Sequence, residues 1–141
     1  MNIPGLEATW IETKIGQNVL LVGSFYRPPD SPVAYWNLID ESIKKAANTP
    51  HRFILLGDFN EDPWVNTSPH LLRIIEENRL VQLVKDPTRI TSTTSRCIDL
   101  IFTNSRDYVN SVSVKPPICS DHHIICANLK SEGSTKNHIK K

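Results

Sequence analysis

Residues 53–60 read Phe53-Ile54-Leu55-Leu56-Gly57-Asp58-Phe59-Asn60. Four consecutive apolar residues that end in a glycine are typical of a strand buried on both faces of a sheet. Asp58 and Asn60 then stand at the carboxyl end of that strand, where α/β sheets present catalytic groups. A side-chain turn that merely ends the strand would explain the same two residues, because aspartate and asparagine are common in turns.

The segments around this strand predict a mixed α/β domain. Residues 6–14 and 19–26 are rich in β-branched and aromatic residues on either side of a turn at 15–18, which predicts a β-hairpin. Helices are predicted to begin at Ser31 and at Ser68, each followed by a proline at the first helical position. Four further strands are predicted at 81–84, 97–102, 108–114 and 124–129.

The composition fits one folded domain of an intracellular protein. The chain has 141 residues, of which 39% are hydrophobic and 22% charged, enough to bury a core. Its longest apolar runs are far shorter than a membrane span, and residues 1–5 lack the features of a secretory signal. Three cysteines without paired spacing fit a reducing compartment. Because the net charge is only +1, nucleic-acid binding would need a local basic site.

A second polar cluster, Ser120-Asp121-His122-His123, directly precedes the predicted strand at 124–129. If that strand runs antiparallel to residues 53–56, its start lies at the same edge of the sheet as Asp58 and Asn60. Carboxylates, an amide and an imidazole at one edge suit a hard divalent cation and an anionic oxygen. A surface turn with a satisfied histidine would explain this motif equally well.

Asp99 lies within the apolar segment Cys97-Ile98-Asp99-Leu100-Ile101-Phe102. A charged residue inside a strand needs a partner, because burying an unpaired carboxylate is costly. An imidazole is a suitable partner, since a carboxylate fixes the tautomer of the ring and favours its protonated form. Alternation along an edge strand would instead direct Asp99 toward solvent.

A zinc site formed by Cys119, His122, His123 and Cys126 is a competing interpretation of the second cluster. The segment that ends at Cys126 has the pattern of a strand, in which successive side chains point to opposite faces. Cys119 and Cys126 would then be poorly placed to share one tetrahedral ion. The sequence therefore favours oxygen ligands over thiolates.

Four motifs together resemble the endonuclease/exonuclease/phosphatase family, and most closely the endonuclease domains of non-LTR (LINE-type) retrotransposons. In chain order they are Phe25-Tyr26-Arg27-Pro28-Pro29, Gly57-Asp58-Phe59-Asn60, Ser95-Arg96-Cys97-Ile98-Asp99-Leu100-Ile101-Phe102-Thr103-Asn104 and Ser120-Asp121-His122. The resemblance implies a deoxyribonuclease-like sandwich of two β-sheets flanked by helices, in four αββα layers. Residues 1–130 would form its C-terminal portion, with the N-terminal portion missing, and residues 131–141 a flexible polar tail.

The resemblance also implies roles for single residues. Asp58 would position or deprotonate the attacking water, and Asn60 would hold the phosphate and orient that water. His122 would contact the scissile phosphate, with Asp99 behind it as the orienting acid. Tyr26 would approach the phosphate from the other side.

The metal and the substrate contacts follow from the same resemblance. Asp121 would help to bind a divalent cation, for which oxygen ligands suit Mg²⁺ or Mn²⁺. Arg27, Arg89 and Arg96 are candidates for contacts to the substrate. Arg89 and Arg96 flank a Ser/Thr-rich loop that suits the phosphate backbone of DNA, although a flexible polar surface would have the same composition.

The implied activity is metal-dependent phosphodiester hydrolysis by the DNA endonuclease of a retrotransposon, acting in the nucleus. The family's early asparagine and its principal metal-binding glutamate have no counterpart here, since Glu7 and Glu12 come too late to match them. We therefore expect weak or absent nuclease activity from this chain alone, and a second chain or an N-terminal half that completes the sandwich. A non-catalytic remnant that binds nucleic acid or protein, and a phosphatase of the same superfamily, are the alternatives.

Overall fold

The computed structural model describes residues 1–65 and 68–130. Within these residues the chain forms nine strands and two α-helices, in the order β1 (Glu7–Ile15), β2 (Asn18–Tyr26), α1 (Ala34–Ala47), β3 (Arg52–Asp58), α2 (Pro69–Glu77), β4 (Val81–Gln82), β5 (Arg89–Ile90), β6 (Ser95–Arg96), β7 (Asp99–Thr103), β8 (Val109–Lys115) and β9 (Ile124–Leu129). The predicted mixed α/β class is confirmed. The tail predicted at 131–141 lies outside the described residues.

A five-stranded sheet in the order β1-β2-β3-β7-β4 places β3 at its centre. β1 and β2 form the predicted hairpin, with Glu7 opposite Tyr26. β3 is parallel to β2 and antiparallel to β7, and α1 makes the crossover between the two parallel strands. Phe53, Ile54 and Leu55 are all buried, as the apolar run in β3 predicts.

Helix α1 covers one face of this sheet. Trp10 of β1 contacts the ring of Phe53 edge-on and donates a 2.9 Å hydrogen bond from its indole nitrogen to Ser42 of α1. Trp36 and Ile39 lie on the buried side of the helix. The helix begins at Ala34 rather than at the predicted Ser31 cap, because the Ser31 hydroxyl donates to the Pro28 carbonyl instead. At α2 the predicted cap is confirmed, since the Ser68 hydroxyl accepts from the His70 N–H.

Two predicted strands are shorter in the structure because side chains take over their backbone hydrogen bonds. The Gln82 side chain bonds both the N–H and the carbonyl of Val84, so β4 ends at Gln82 instead of residue 84. The Cys97 N–H donates to the carboxylate of Asp62, and Asp99 therefore begins β7 rather than lying in its middle. The Ser/Thr-rich loop expected at 88–96 contains the small β5–β6 hairpin.

The β8–β9 pair lies against the face of the sheet opposite α1. Along β3, Phe53 and Leu55 face α1, so Ile54 and Asp58 point to the other side. His122, which lies two residues before β9, is 4.0 Å from the carboxylate of Asp58 on that side. The antiparallel pairing considered for the strand at 124–129 and residues 53–56 does not occur, because β9 pairs with β8 in a separate sheet.

The β1–β2 part of this second face is open. Ile11 and Tyr26 expose 57% and 42% of their surface, whereas Ile101, further across the same face, is fully buried. Among the described residues, the second β-layer is thus limited to β8 and β9. The complete four-layer sandwich stays a prediction. No helix within the described residues is both long and apolar enough to span a membrane.

Candidate active site

A sharp turn follows β3 and carries the first two candidate residues. The Asn60 N–H donates a 2.9 Å hydrogen bond to a carboxylate oxygen of Asp58, and Asn60 adopts a left-handed φ of 49°. Asparagine tolerates that conformation better than most residues. Gly57 is required just before it, since a Cβ there would lie 1.7 Å from the Phe25 carbonyl oxygen of β2. The motif Gly57-Asp58-Phe59-Asn60 is therefore both a side-chain turn and a projecting group of polar side chains.

Phe59 anchors this turn in the core. Its ring is buried between those of Phe25, with centroids 6.0 Å apart, and Phe102, at 5.4 Å. Its N–H donates to the Ile98 carbonyl, the residue before β7. The turn after β3 is thus fixed to the start of β7, which holds Asp58 and Asp99 side by side.

The structure brings Asp58, Asp99 and His122 together. Asp58 and Asp99 are register partners across β3 and β7, and the imidazole expected as the partner of Asp99 is His122, with Nδ1 2.9 Å from Oδ2. The other ring nitrogen, Nε2, lies 4.0 Å from the Asp58 carboxylate. One ligand atom from each of the three residues lies within 4.8 Å of the others, a spacing that could hold a metal ion.

The electrostatics of the group centre on Asp58. Partial burial raises the pKa of its carboxyl above the ordinary value, and the neighbouring Asp99 carboxylate raises it further. The hydrogen bond from Asn60 and the positive charges of His122 and Arg89 oppose this rise in pKa. The site therefore favours a cation or a proton beside Asp58.

Asp121 lies next to this group and is bound to Arg89. The Arg89 Nε is 3.1 Å from one carboxylate oxygen of Asp121, and the second oxygen is 3.9 Å from Nε2 of His122. Arg89 and His122 also pair through their backbones, and the Ile90 N–H donates to the Asp121 carbonyl. The β5–β6 hairpin thus holds the Ser120-Asp121-His122 segment against the site.

The remaining candidates lie at the borders of the site. Tyr26 is the last residue of β2 and the register partner of Asp58 in β3, and its side chain is exposed. Arg27 contacts the turn after β3 rather than solvent alone, since its Nη1 donates to the Phe59 carbonyl. Arg96 lies opposite Arg89 in the hairpin and, with Asp62, lines an open cavity of about 340 Å³.

Sequence reasoning missed Thr88, a fully buried residue behind the site. Its hydroxyl oxygen accepts from the N–H groups of both Ile98, at 3.1 Å, and Asp99, at 3.0 Å. Its backbone carbonyl accepts from the His123 N–H. A single threonine thus fixes both halves of the Asp99–His122 pair. The only local signal for it is a threonine next to a proline, which does not distinguish it from its neighbours.

The thiols take no part in this arrangement within the described residues. Cys119 is exposed, Cys97 is buried in the core and Cys126 lies in β9, and all three are free. Burial raises the pKa of the Cys97 thiol to about 11. The candidate metal group found among the described residues contains no cysteine, in line with the preference for oxygen ligands.

Comparisons with known proteins identify the family and the fold. Residues 20–126 match the protein family described as endonuclease-reverse transcriptase. No curated protein sequence matches the chain. Among solved structures, the endonuclease domain of TRAS1, a telomere-specific non-LTR retrotransposon, is similar with a TM-score of 0.76 and 20% identity, over 89% of this chain and 64% of that one.

Two further structures show the same likeness. An endonuclease/exonuclease/phosphatase family protein from Leptotrichia buccalis has a TM-score of 0.69 and 18% identity, over 87% of this chain and 53% of that one. The APE2 catalytic domain of Xenopus laevis has a TM-score of 0.62 and 18% identity, over 87% and 54%. At identities this low, the structural similarity establishes a shared fold and nothing more. The expected deoxyribonuclease-like α/β fold is confirmed. The chain spans just over half to about two thirds of the length of these structures.

Proposed function

We propose that this chain, which belongs to the endonuclease-reverse transcriptase family, takes part in divalent-metal-dependent hydrolysis of DNA phosphodiester bonds. The observation that carries the proposal is the convergence of Asp58, Asp99 and His122 within 4.8 Å, beside the strained turn of Asn60. Two carboxylates, an imidazole and an amide lie together at the carboxyl end of β3. These are the groups that phosphoryl hydrolysis needs.

The position of each residue in the site determines its proposed role. Asp99 accepts from Nδ1 of His122 and so directs Nε2 toward the side where Asp58 and Asp121 lie. In its charged form the imidazole donates through Nε2 to a phosphate oxygen and stabilises the charge that develops there. The raised pKa of Asp58 makes its carboxylate a better acceptor for a proton from water than an ordinary aspartate.

The donor set fits a hard divalent cation. Asp58 and Asp121 supply carboxylate oxygens near Nε2 of His122, and Asp99 supplies them at Nδ1. The crowding of Asp58 and Asp99 already favours a positive charge between them. When bound, such a cation neutralises charge on the phosphate oxygens. Asn60, held by its neighbours in the turn, orients the water that attacks. Mg²⁺ and Mn²⁺ both fit these oxygen ligands.

The proposed substrate is the DNA backbone, and the proposed site of action is the nucleus. Arg89 and Arg96 face each other across the β5–β6 hairpin next to the site, where cationic side chains contact phosphates without reading the sequence. Because the related structures are longer, we propose that full activity needs a second β-layer over the open face at Ile11 and Tyr26, supplied by an N-terminal segment or a second chain.

A plasmid-nicking assay tests the proposal. The purified chain is incubated with supercoiled DNA and Mg²⁺ or Mn²⁺, with and without a chelator, and His122→Ala is compared with His51→Ala. His51 lies at the far end of β3, so only the His122 variant should lose the nicked product. A weak, metal-dependent rate that vanishes in the His122 variant is expected from the chain alone. A His122 variant as active as His51→Ala would contradict the proposal, and faster cleavage of a phosphomonoester than of DNA would favour the phosphatase alternative.

A further inference from the structure

We propose that Arg27 is the positioning residue of the turn Asp58-Phe59-Asn60, a role that rests on the proposed function of that turn. Two hydrogen bonds of the Arg27 backbone and one of its side chain join this residue to the turn, and the side-chain bond carries the inference. The Arg27 N–H donates to the Asp58 carbonyl at 2.8 Å, and the Asn60 side-chain amide donates to the Arg27 carbonyl at 2.8 Å. The Arg27 Nη1 donates to the Phe59 carbonyl at 3.2 Å. Each residue of the turn therefore bonds to Arg27.

The guanidinium is held between the turn and helix α1. Its central carbon lies 4.4 Å from the ring centroid of Trp36, which is 2% exposed. A planar guanidinium stacks on an aromatic face and still donates in its own plane, which a lysine ammonium cannot do. Trp36 thus fixes the plane from which Nη1 reaches Phe59. The contact links the turn after β3 to the rigid core of the domain.

Arg27 acts on the peptide group that sets the direction of Asn60. The carbonyl of Phe59 and the N–H of Asn60 belong to one planar peptide group. Arg27 binds its oxygen, and the carboxylate of Asp58 binds its N–H. Pinning the group on both sides holds Asn60 at its left-handed φ of 49°. The Arg27 carbonyl then fixes the Asn60 side-chain amide, so the water-orienting group is aimed by Arg27 at both ends.

This role differs from direct contact with a substrate phosphate, which the resemblance alone implies for Arg27. Arg27→Lys separates the two. Lysine keeps the positive charge on which phosphate binding depends but loses the stacked, in-plane donor. Direct contact predicts that the variant is close to wild type or has a raised KM. Positioning predicts a lower kcat with KM nearly unchanged.

Arg52→Lys is the matched control. Arg52 stacks on the ring of Tyr108 at 4.8 Å, at the opposite end of β3 from the site. The Arg52→Lys variant loses the same kind of contact as Arg27→Lys, so any general effect of replacing a stacked arginine appears in both variants. Only Arg27→Lys should change the turn.

The primary measurement is amide hydrogen exchange by NMR in the free protein, which requires no activity. We expect the backbone N–H of Asn60 to exchange roughly three- to tenfold faster in Arg27→Lys, the factor that one ordinary hydrogen bond supplies, and to be unchanged in Arg52→Lys. Equal exchange in wild type and Arg27→Lys would overturn the inference. If Arg27→Lys does not fold, Trp36→Phe takes its place, since it keeps a ring under the guanidinium. The Asn60 N–H should then exchange faster than in wild type, but by a smaller factor than expected for Arg27→Lys. An unchanged exchange rate of Asn60 in Trp36→Phe would also overturn the inference.

The kinetic arm separates this inference from the proposed function. A wild-type chain that fails to nick DNA under every metal condition counts against the weak activity proposed for the chain alone, while the exchange of Asn60 still decides the positioning role. If the wild type nicks, a fall in kcat with constant KM in Arg27→Lys supports positioning. A rise in KM with constant kcat overturns it in favour of direct phosphate contact.

Discussion

Replacement of Thr88 by valine tests how the Asp99–His122 pair is held. Valine has nearly the shape of threonine but no hydroxyl, so the fully buried side chain keeps its packing and loses its acceptor. The N–H groups of Ile98 and Asp99 then lack a partner. A buried polar group left unsatisfied costs about 1–3 kcal/mol, so the free energy of unfolding should fall by about 2–6 kcal/mol. That is a large share of the roughly 5–15 kcal/mol that stabilises an ordinary domain.

Urea unfolding followed by tryptophan fluorescence measures this loss. With a denaturant slope of about 1–3 kcal/mol per molar, the midpoint should drop by about 0.7 M or more, or the variant should be unfolded without urea. Thr88→Ser is the matched control, since it keeps the hydroxyl and loses one buried methyl group worth about 0.8 kcal/mol before any cavity effect. If valine is no worse than serine at position 88, the two hydrogen bonds to the hydroxyl do not hold the start of β7.

Three further predictions follow from single sites. Gly57→Ala should destabilise the fold by about 3 kcal/mol or more, because its Cβ would overlap the Phe25 carbonyl, whereas Gly16→Ala in the β1–β2 turn should cost only about 1 kcal/mol in the same urea assay. The raised pKa of Asp58 means that the folded state binds its proton more tightly than the unfolded state does, so this residue's contribution to stability falls as the pH rises through the ordinary carboxyl range toward the folded pKa. The stability of Asp58→Asn relative to wild type should therefore increase as the pH rises through and above the ordinary carboxyl range. A difference in stability that does not change with pH would refute the burial that the structure gives Asp58. At pH 8 the buried Cys97, with its pKa near 11, should stay unmodified by a thiol reagent until urea is added, while the exposed Cys119 reacts at once; a mass spectrum of the digested protein shows which was labelled.

Local chemistry explains what could be predicted from the sequence. The apolar run at Phe53–Leu56 predicts a strand buried on both faces, and Phe53, Ile54 and Leu55 are buried because β3 lies at the centre of the sheet with α1 on one face and the β8–β9 pair on the other. The position of Asp99 in an apolar segment predicts a partner, for which an imidazole is a suitable candidate, and His122 is that partner in the structure. The cap at Ser68 is equally local, because its hydroxyl bonds an N–H two residues away.

What could not be predicted depends on competition between distant groups. Ser31 has the sequence context of a helix cap, but its hydroxyl donates a hydrogen bond to the Pro28 carbonyl instead. The strand ends at Gln82 and Asp99 are decided by side chains that bond backbone groups in place of a neighbouring strand. The hydrophobic periodicity of a sequence does not indicate which of two possible acceptors a backbone N–H will bind. The roles assigned to the single site residues stay predictions until the variants are measured.

The route by which His122 reaches Asp58 shows why the site depends on the β5–β6 hairpin. β9 does not pair with β3, so the sheet itself cannot place the imidazole. Instead, the Thr88 carbonyl holds the His123 N–H, the Thr88 hydroxyl holds Asp99, and the neighbouring Arg89 holds Asp121. The hairpin that we propose to contact DNA phosphates is thus continuous with the segment that aligns the acids and the imidazole. A ligand that moves this hairpin should therefore change the distance between His122 and Asp58, because Thr88 and Arg89 hold the segment that carries His122, whereas β3 and its neighbours hold Asp58.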